Sequence, residues 1–192
     1  MVALEFCVVF LIDRTLANDG YAETLQSFSR YLYVALFVFC AVFIASAVSF
    51  LVWFYRAYLN LSFLRAPELL TTPGWAVGVW FIPILNLFRP YQATREIAVY
   101  SGPNYKGGAS ATDIGAPDLV KIWWGLWIIT LFLSRFAKQL AKNDNVEMMT
   151  MCGIDAMLAV FVISTGAMAV LIVRQITSDQ NRRYKKLASE IV

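Results

Sequence analysis

The run YLYVALFVFCAVFIASAVSFLVWFY, from Tyr31 to Tyr55, places twenty-five residues in a row without a single charge. About twenty apolar residues in helical form cross the ~30 Å hydrocarbon core of a bilayer, so this stretch predicts a transmembrane helix. Composition points the same way. The chain is 59% hydrophobic and 15% charged, whereas a soluble domain is about a quarter charged. Trp53, Tyr55 and Tyr58, with Arg56 beside them, mark the headgroup level at the end of the run. Ala41, Ala45 and Ser49 recur every fourth residue. Such a stripe of small side chains lets a neighbouring helix approach closely, the main packing device in lipid. The partner is either another helix of this chain or a second subunit, which would make a homo-oligomer.

Two further apolar stretches follow the same logic. Leu119–Phe136 begins after Asp118, a helix-capping residue, and crowds Trp123, Trp124 and Trp127 into its first half, where aromatic belts form; Lys121 can snorkel. Met151–Val173 contains one ionisable residue, Asp155, about one turn in. A carboxylate in a span is a functional candidate by default, though at this depth it also reaches the interface. The tail, Arg174–Val192, carries Arg174, Arg182, Arg183, Lys185 and Lys186 and continues helically, with Ile176, Tyr184, Leu187 and Ile191 on an apolar side. That pattern suits a basic surface helix facing anionic lipid rather than nucleic acid, and it orients the C-terminus to the cytoplasm. At the other end, Met1–Ile12 is apolar except for Glu5. As a helix it is only about 18 Å long, a partial apolar segment that does not cross alone.

The central segment is less ordinary. Leu69–Phe88 has no charge, yet it contains Pro73 and Pro83, and Pro90 follows closely. Thr72-Pro73 reads as an N-cap with proline at the first helical position. A helix over Pro73–Phe88 would be about 24 Å long. Pro83 kinks it and frees a carbonyl, which neighbouring helices or the Asn86 amide can satisfy. Pro90 then opens a polar turn and an interfacial helix. Crossing is the simpler expectation; the alternative is that the segment dips in and returns. Counting positives does not separate the two, because eleven of the sixteen basic residues fall inside in either case.

The candidate functional positions are Trp75, Pro83, Asn86, Arg89, Pro90 and Gln92 in this segment, with Asp155. Pro83 and Asn86 either line a cavity at a broken helix or form a kink satisfied by packing. Arg89, Pro90 and Gln92 either contact lipid phosphate or a partner, or anchor the segment at the interface. Tyr58 and Arg56 are expected to face that edge.

Reactive chemistry finds little to work with. The chain has no histidine, which removes the usual catalytic base and the usual imidazole metal ligand. Cys7, Cys40 and Cys152 each sit in an apolar stretch with no C-x-x-C pair, and read as small packing residues. Gly107-Gly108 lacks the spacing of a phosphate cradle. No catalytic, cofactor-binding or metal-binding residue is expected.

Three motifs carry a resemblance: FYRAYLNL (Phe54–Leu61), TPGWAVGVWFIPILNLFRPYQATREI (Thr72–Ile97) and IWWGLW (Ile122–Trp127). Together they resemble a bacterial family of small multi-pass membrane proteins, domain of unknown function 4328, over about Tyr31 to Arg174. The resemblance implies a polytopic membrane fold and brings no established activity, substrate or cofactor. It also implies a full N-terminal membrane helix, where this chain has only Met1–Ile12.

The expectation is therefore an all-α polytopic helix bundle, residues 1–192 as one membrane domain, with about four spans, a short N-terminal apolar helix and a basic C-terminal surface helix. It would sit in a bacterial cell membrane as a non-catalytic interaction or scaffold subunit. The alternative is a small transporter or channel subunit that uses the proline-kinked central helix.

Overall fold

The computed structural model of the chain describes residues 22–64, 66, 69–103, 105, 110–140 and 148–189. The Met1–Ile12 segment, the glycine pair at 107–108 and the final residues of the tail lie outside the described residues. Every regular element among those described is helical: α1 (Ala22–Phe63), α2 (Pro73–Gly78), two 3₁₀ turns (Val79–Phe81 and Leu85–Leu87), α3 (Arg89–Ser101), α4 (Ala111–Ile114), α5 (Asp118–Leu140) and α6 (Met148–Ser189).

Three stretches are long and apolar enough to cross a membrane: Tyr33–Phe63, Asp118–Leu140 and Cys152–Ser189. They coincide with three of the four spans expected. The fourth segment, Pro73–Phe88, forms no continuous helix. Its start is as read from the sequence: Thr72 has extended backbone, its Oγ1 accepts from Trp75 N–H at 3.3 Å, and proline occupies the first turn. The helix then tightens to 3₁₀ over Val79–Phe81 and stops at Ile82, whose φ of −100° and ψ of 112° are extended. The cause is Pro83, whose ring clashes with a preceding residue in the α conformation and pushes it toward the β region. Proline here ends a helix where a kink within one helix was expected. The carbonyl of Val79 does not wait for the Asn86 side chain; it accepts from Ile82 N–H at 3.4 Å.

After a second 3₁₀ turn, α3 starts at Arg89 with Pro90 in its first turn. Residues of α2 and α3 face each other across a shared cavity lined by Trp75, Ala76 and Val79 on one leg and Arg89, Gln92, Ala93 and Glu96 on the other. The segment is thus a helical hairpin. Its first leg, one short α-helix and one 3₁₀ turn, reaches about 15 Å, half a bilayer core. Phe81 (72% exposed) and Ile84 (74%) project at its tip.

The chain packs as two units. The first comprises residues up to Phe50 and Phe132–Val160. On its part of α1, Ala41, Ala45 and Ser49 are all exposed, and the Phe39 and Phe43 rings stack with centroids 6.5 Å apart. Ser46 Oγ donates to the Val42 carbonyl at 2.8 Å. Cys40 is free and exposed. Cys152 is disulfide-bonded, which corrects its reading as a packing residue.

The second unit, Leu51–Leu131 with Phe161–Val192, holds most of the core. Phe54, Tyr58 and Leu61 recur at helical spacing along one face of α1, as do Ala93, Ile97 and Tyr100 on α3 and Ile172, Ile176 and Gln180 on α6, and all are buried. Burial of Ile176 and Gln180 means that the first turns of the tail pack on protein. Tyr184 remains exposed.

Trp80, from the hairpin, is the hub of an aromatic cluster. Its ring centroid lies 5.8 Å from Phe54, 6.5 Å from Trp123, 6.3 Å from Trp124 and 6.2 Å from Trp127. Each such pair adds about 0.5–1.5 kcal/mol beyond its buried area. Trp123 and Trp124 are buried in this cluster.

Candidate functional site around Glu96

Glu96 sits on α3 between Ala93, Ile97 and Tyr100, on the face turned to the core, and is 1% exposed. A carboxyl taken from water must find partners there. It has two. Tyr58 Oη donates to Glu96 Oε2 at 2.6 Å, and Leu70 N–H donates to Oε1 at 3.0 Å. Burial raises the Glu96 pKa above the ordinary carboxylate value, against the opposing pull of the Tyr58 and Leu70 hydrogen bonds and the Arg95 charge. The carboxyl thus joins three parts of the chain: α1, the approach to the hairpin, and α3.

The cavity beside Glu96 is about 10 Å³ in volume, enough for about one water. Around it the fold gathers three of the residues singled out from the sequence, Trp75, Arg89 and Gln92. Arg89 Nη1 donates to Gln92 Oε1 at 3.4 Å. Pro90 is buried at the start of α3, and its carbonyl accepts from Thr94 Oγ1 at 2.7 Å. Pro83 lies at the hairpin turn, and Asn86 in the second 3₁₀ turn has a buried Oδ1 without a hydrogen-bond partner. Asp155 belongs to the first unit and is no part of this grouping. Tyr58 bonds Glu96, one turn beyond the Arg89–Gln92 edge it was expected to face, and Arg56 is exposed.

A second set of polar residues joins α6 to the ends of α1 and α3. Trp53 Nε1 donates to Thr177 Oγ1 at 3.1 Å. Gln180 Nε2 donates to the Ala57 carbonyl at 2.9 Å and to Ser101 Oγ at 3.0 Å, while its Oε1 accepts from Asn60 Nδ2 at 3.0 Å. Arg183 donates through Nη1 to the Tyr100 carbonyl and through Nη2 to the Leu64 carbonyl at 3.2 Å. Those carbonyls lie at the C-terminal ends of α3 and α1, where backbone acceptors lack helical partners and the dipole favours a cation. One guanidinium therefore caps two helices. It also lies 5.0 Å from the centroid of the Tyr105 ring, and Tyr105 packs edge-on against Tyr100 at 5.2 Å. Tyr100 Oη accepts from Ala111 N–H at 2.9 Å, closing the loop; burial raises its pKa.

Glu96 and Gln180 carried no expectation from the sequence, and Arg183 was expected only as one charge of the basic tail. The available signal was spacing: Ala93, Glu96, Ile97 and Tyr100 share one helical face, which places the carboxylate among core residues. Among the described residues, no three His, Cys, Asp or Glu side chains converge as a metal site would require.

The sequence model of one protein family matches residues 15–178; the family is described as "Domain of unknown function (DUF4328)". No curated protein and no solved structure matches the chain.

Proposed function

The chain belongs to the DUF4328 family, and from that premise we propose that it is a non-catalytic membrane subunit that acts by binding another membrane helix. The observation that supports this is the first apolar helix: among the described residues none of its apolar window is buried, and Ala41, Ala45 and Ser49 lie exposed along it. An open stripe of small residues is the surface on which two membrane helices approach closely. The non-catalytic part of the reading rests on a sequence without histidine.

In this reading the chain lies in a bacterial cytoplasmic membrane with three spans, and the hairpin enters from the cytoplasmic side and returns to it. The C-terminus is cytoplasmic. The basic balance supports that orientation. A transporter has less support, since the cavity beside the hairpin is only about 10 Å³.

Single cysteines placed at Ala41, Val42, Ala45, Val48 and Ser49 in a Cys40→Ser background test the interaction reading. Oxidative crosslinking in native membranes is expected to peak at 41, 45 and 49. Uniform crosslinking, or none to any partner, refutes it.

A further inference from the structure

The last turns of α6 place Arg182, Arg183 and Lys186 around one concavity with Tyr105, Pro103, Leu187 and Asp179. We propose that this cleft binds a phosphate-bearing anion, either the headgroup of an anionic lipid or a free phosphate compound. The proposal is independent of whether the first span takes a partner.

Three observations carry it. First, the charges are arranged against their own stability. Arg182 and Lys186 are four residues apart and Arg183 and Lys186 three apart on the same helix, spacings at which like charges repel. Asp179 alone among the lining residues offsets them. An anion in the cleft would turn that repulsion into attraction. Second, Arg183 is held in place by the Tyr100 and Leu64 carbonyls and by the Tyr105 ring. A guanidinium fixed before the ligand arrives loses little freedom on binding. Third, the cleft is a real recess of about 230 Å³. That is below the range of about 300–1,000 Å³ for sites that enclose a drug-sized molecule, and it fits a phosphate with the first atoms of what it esterifies.

The depth of the cleft bears on the source. Arg182 lies nine residues beyond Val173, the end of the apolar stretch, on an unbroken helix. That is about 14 Å along the axis, so the cleft is open to soluble anions as well as to headgroups that project from the membrane.

The experiment uses the full chain in detergent. One arm measures heat of binding on titration with pyrophosphate and with glycerol 3-phosphate. The other counts lipid retained in native mass spectra from mixtures of phosphatidylglycerol and phosphatidylcholine. The test variant is Arg182→Gln/Lys186→Gln, which leaves the capping Arg183 in place. The control, Arg174→Gln/Lys185→Gln, removes the same charge from exposed positions outside the cleft. Saturable binding in either arm, weakened about tenfold or more in the test variant and within about twofold in the control, supports the cleft. The arm that responds identifies the source. Equal losses in both variants, or no saturable binding of any probe, overturns the proposal.

Discussion

Replacing Glu96 by glutamine and by alanine separates the reasons for its burial. Alanine leaves the Tyr58 hydroxyl and the Leu70 N–H without the acceptor they now have at 2.6 and 3.0 Å. Each buried orphan costs about 1–3 kcal/mol, and the removed side-chain volume adds a cavity term. Glu96→Ala should therefore lose about 3–5 kcal/mol. Glutamine fills the same space. Its oxygen can accept from Leu70 N–H, but its amide offers the Tyr58 hydroxyl no acceptor, so Glu96→Gln strands one donor and leaves no cavity, and should cost about 1–3 kcal/mol at neutral pH, less than alanine does. The two chains should diverge with pH. Burial raises the Glu96 pKa, so the folded state holds this proton more tightly than the unfolded one does. The resulting stabilisation is complete below the unfolded carboxyl pKa of about 4.3, and is lost as pH rises from there through the folded value. The slope is at most about 1.4 kcal/mol per pH unit for one proton, and Glu96→Gln should remove that contribution. Thermal unfolding in detergent between pH 5 and pH 8, followed by circular dichroism, reads both effects. A glutamine variant as damaged as the alanine variant would refute the reasoning, as would identical pH profiles for Glu96→Gln and the native chain.

Three further outcomes follow from other parts of the fold. Arg183→Gln should lower stability by about 1–3 kcal/mol in a thermal melt, because it strands the carbonyls that end α1 and α3, while Arg182→Gln should change it little. Gly115 has a φ of 79° and no neighbour where a Cβ would stand, so Gly115→Ala should cost about 1 kcal/mol from the left-handed backbone alone, read in the same melts. A cysteine introduced at Ser62, which is exposed, should react with a membrane-impermeant thiol reagent only after permeabilisation if the hairpin returns to the side it entered from; labelling of intact cells would restore a crossing segment.

The three helices long and apolar enough to cross a membrane were legible in the sequence because their signal is local. A helix in lipid satisfies its own backbone, so an uncharged run of sufficient length announces itself whatever the rest of the chain does. The start of the hairpin was equally plain, since Thr72 and Pro73 act within one turn. What Pro83 does was not. Proline in a membrane helix either kinks it or ends it, and the outcome here is tied to α3 packing back on α2 and to Trp80 finding Phe54 and three tryptophans. Those are contacts between residues distant in sequence. Glu96 was hidden for a related reason. Its neighbours at 93, 97 and 100 marked a core face, but its acceptability there depends on Tyr58, thirty-eight residues earlier. The candidate site was therefore half visible: Trp75, Arg89 and Gln92 do surround one cavity, while the carboxyl at its edge went unremarked.

The double cap formed by Arg183 has a mechanical meaning. Two rods whose ends share one fastener cannot loosen in turn; releasing the guanidinium frees both together. Hydrogen exchange should accordingly find the amides near Leu64 and those near Ser101 opening at the same rate, and Arg183→Gln should be what lets them part company.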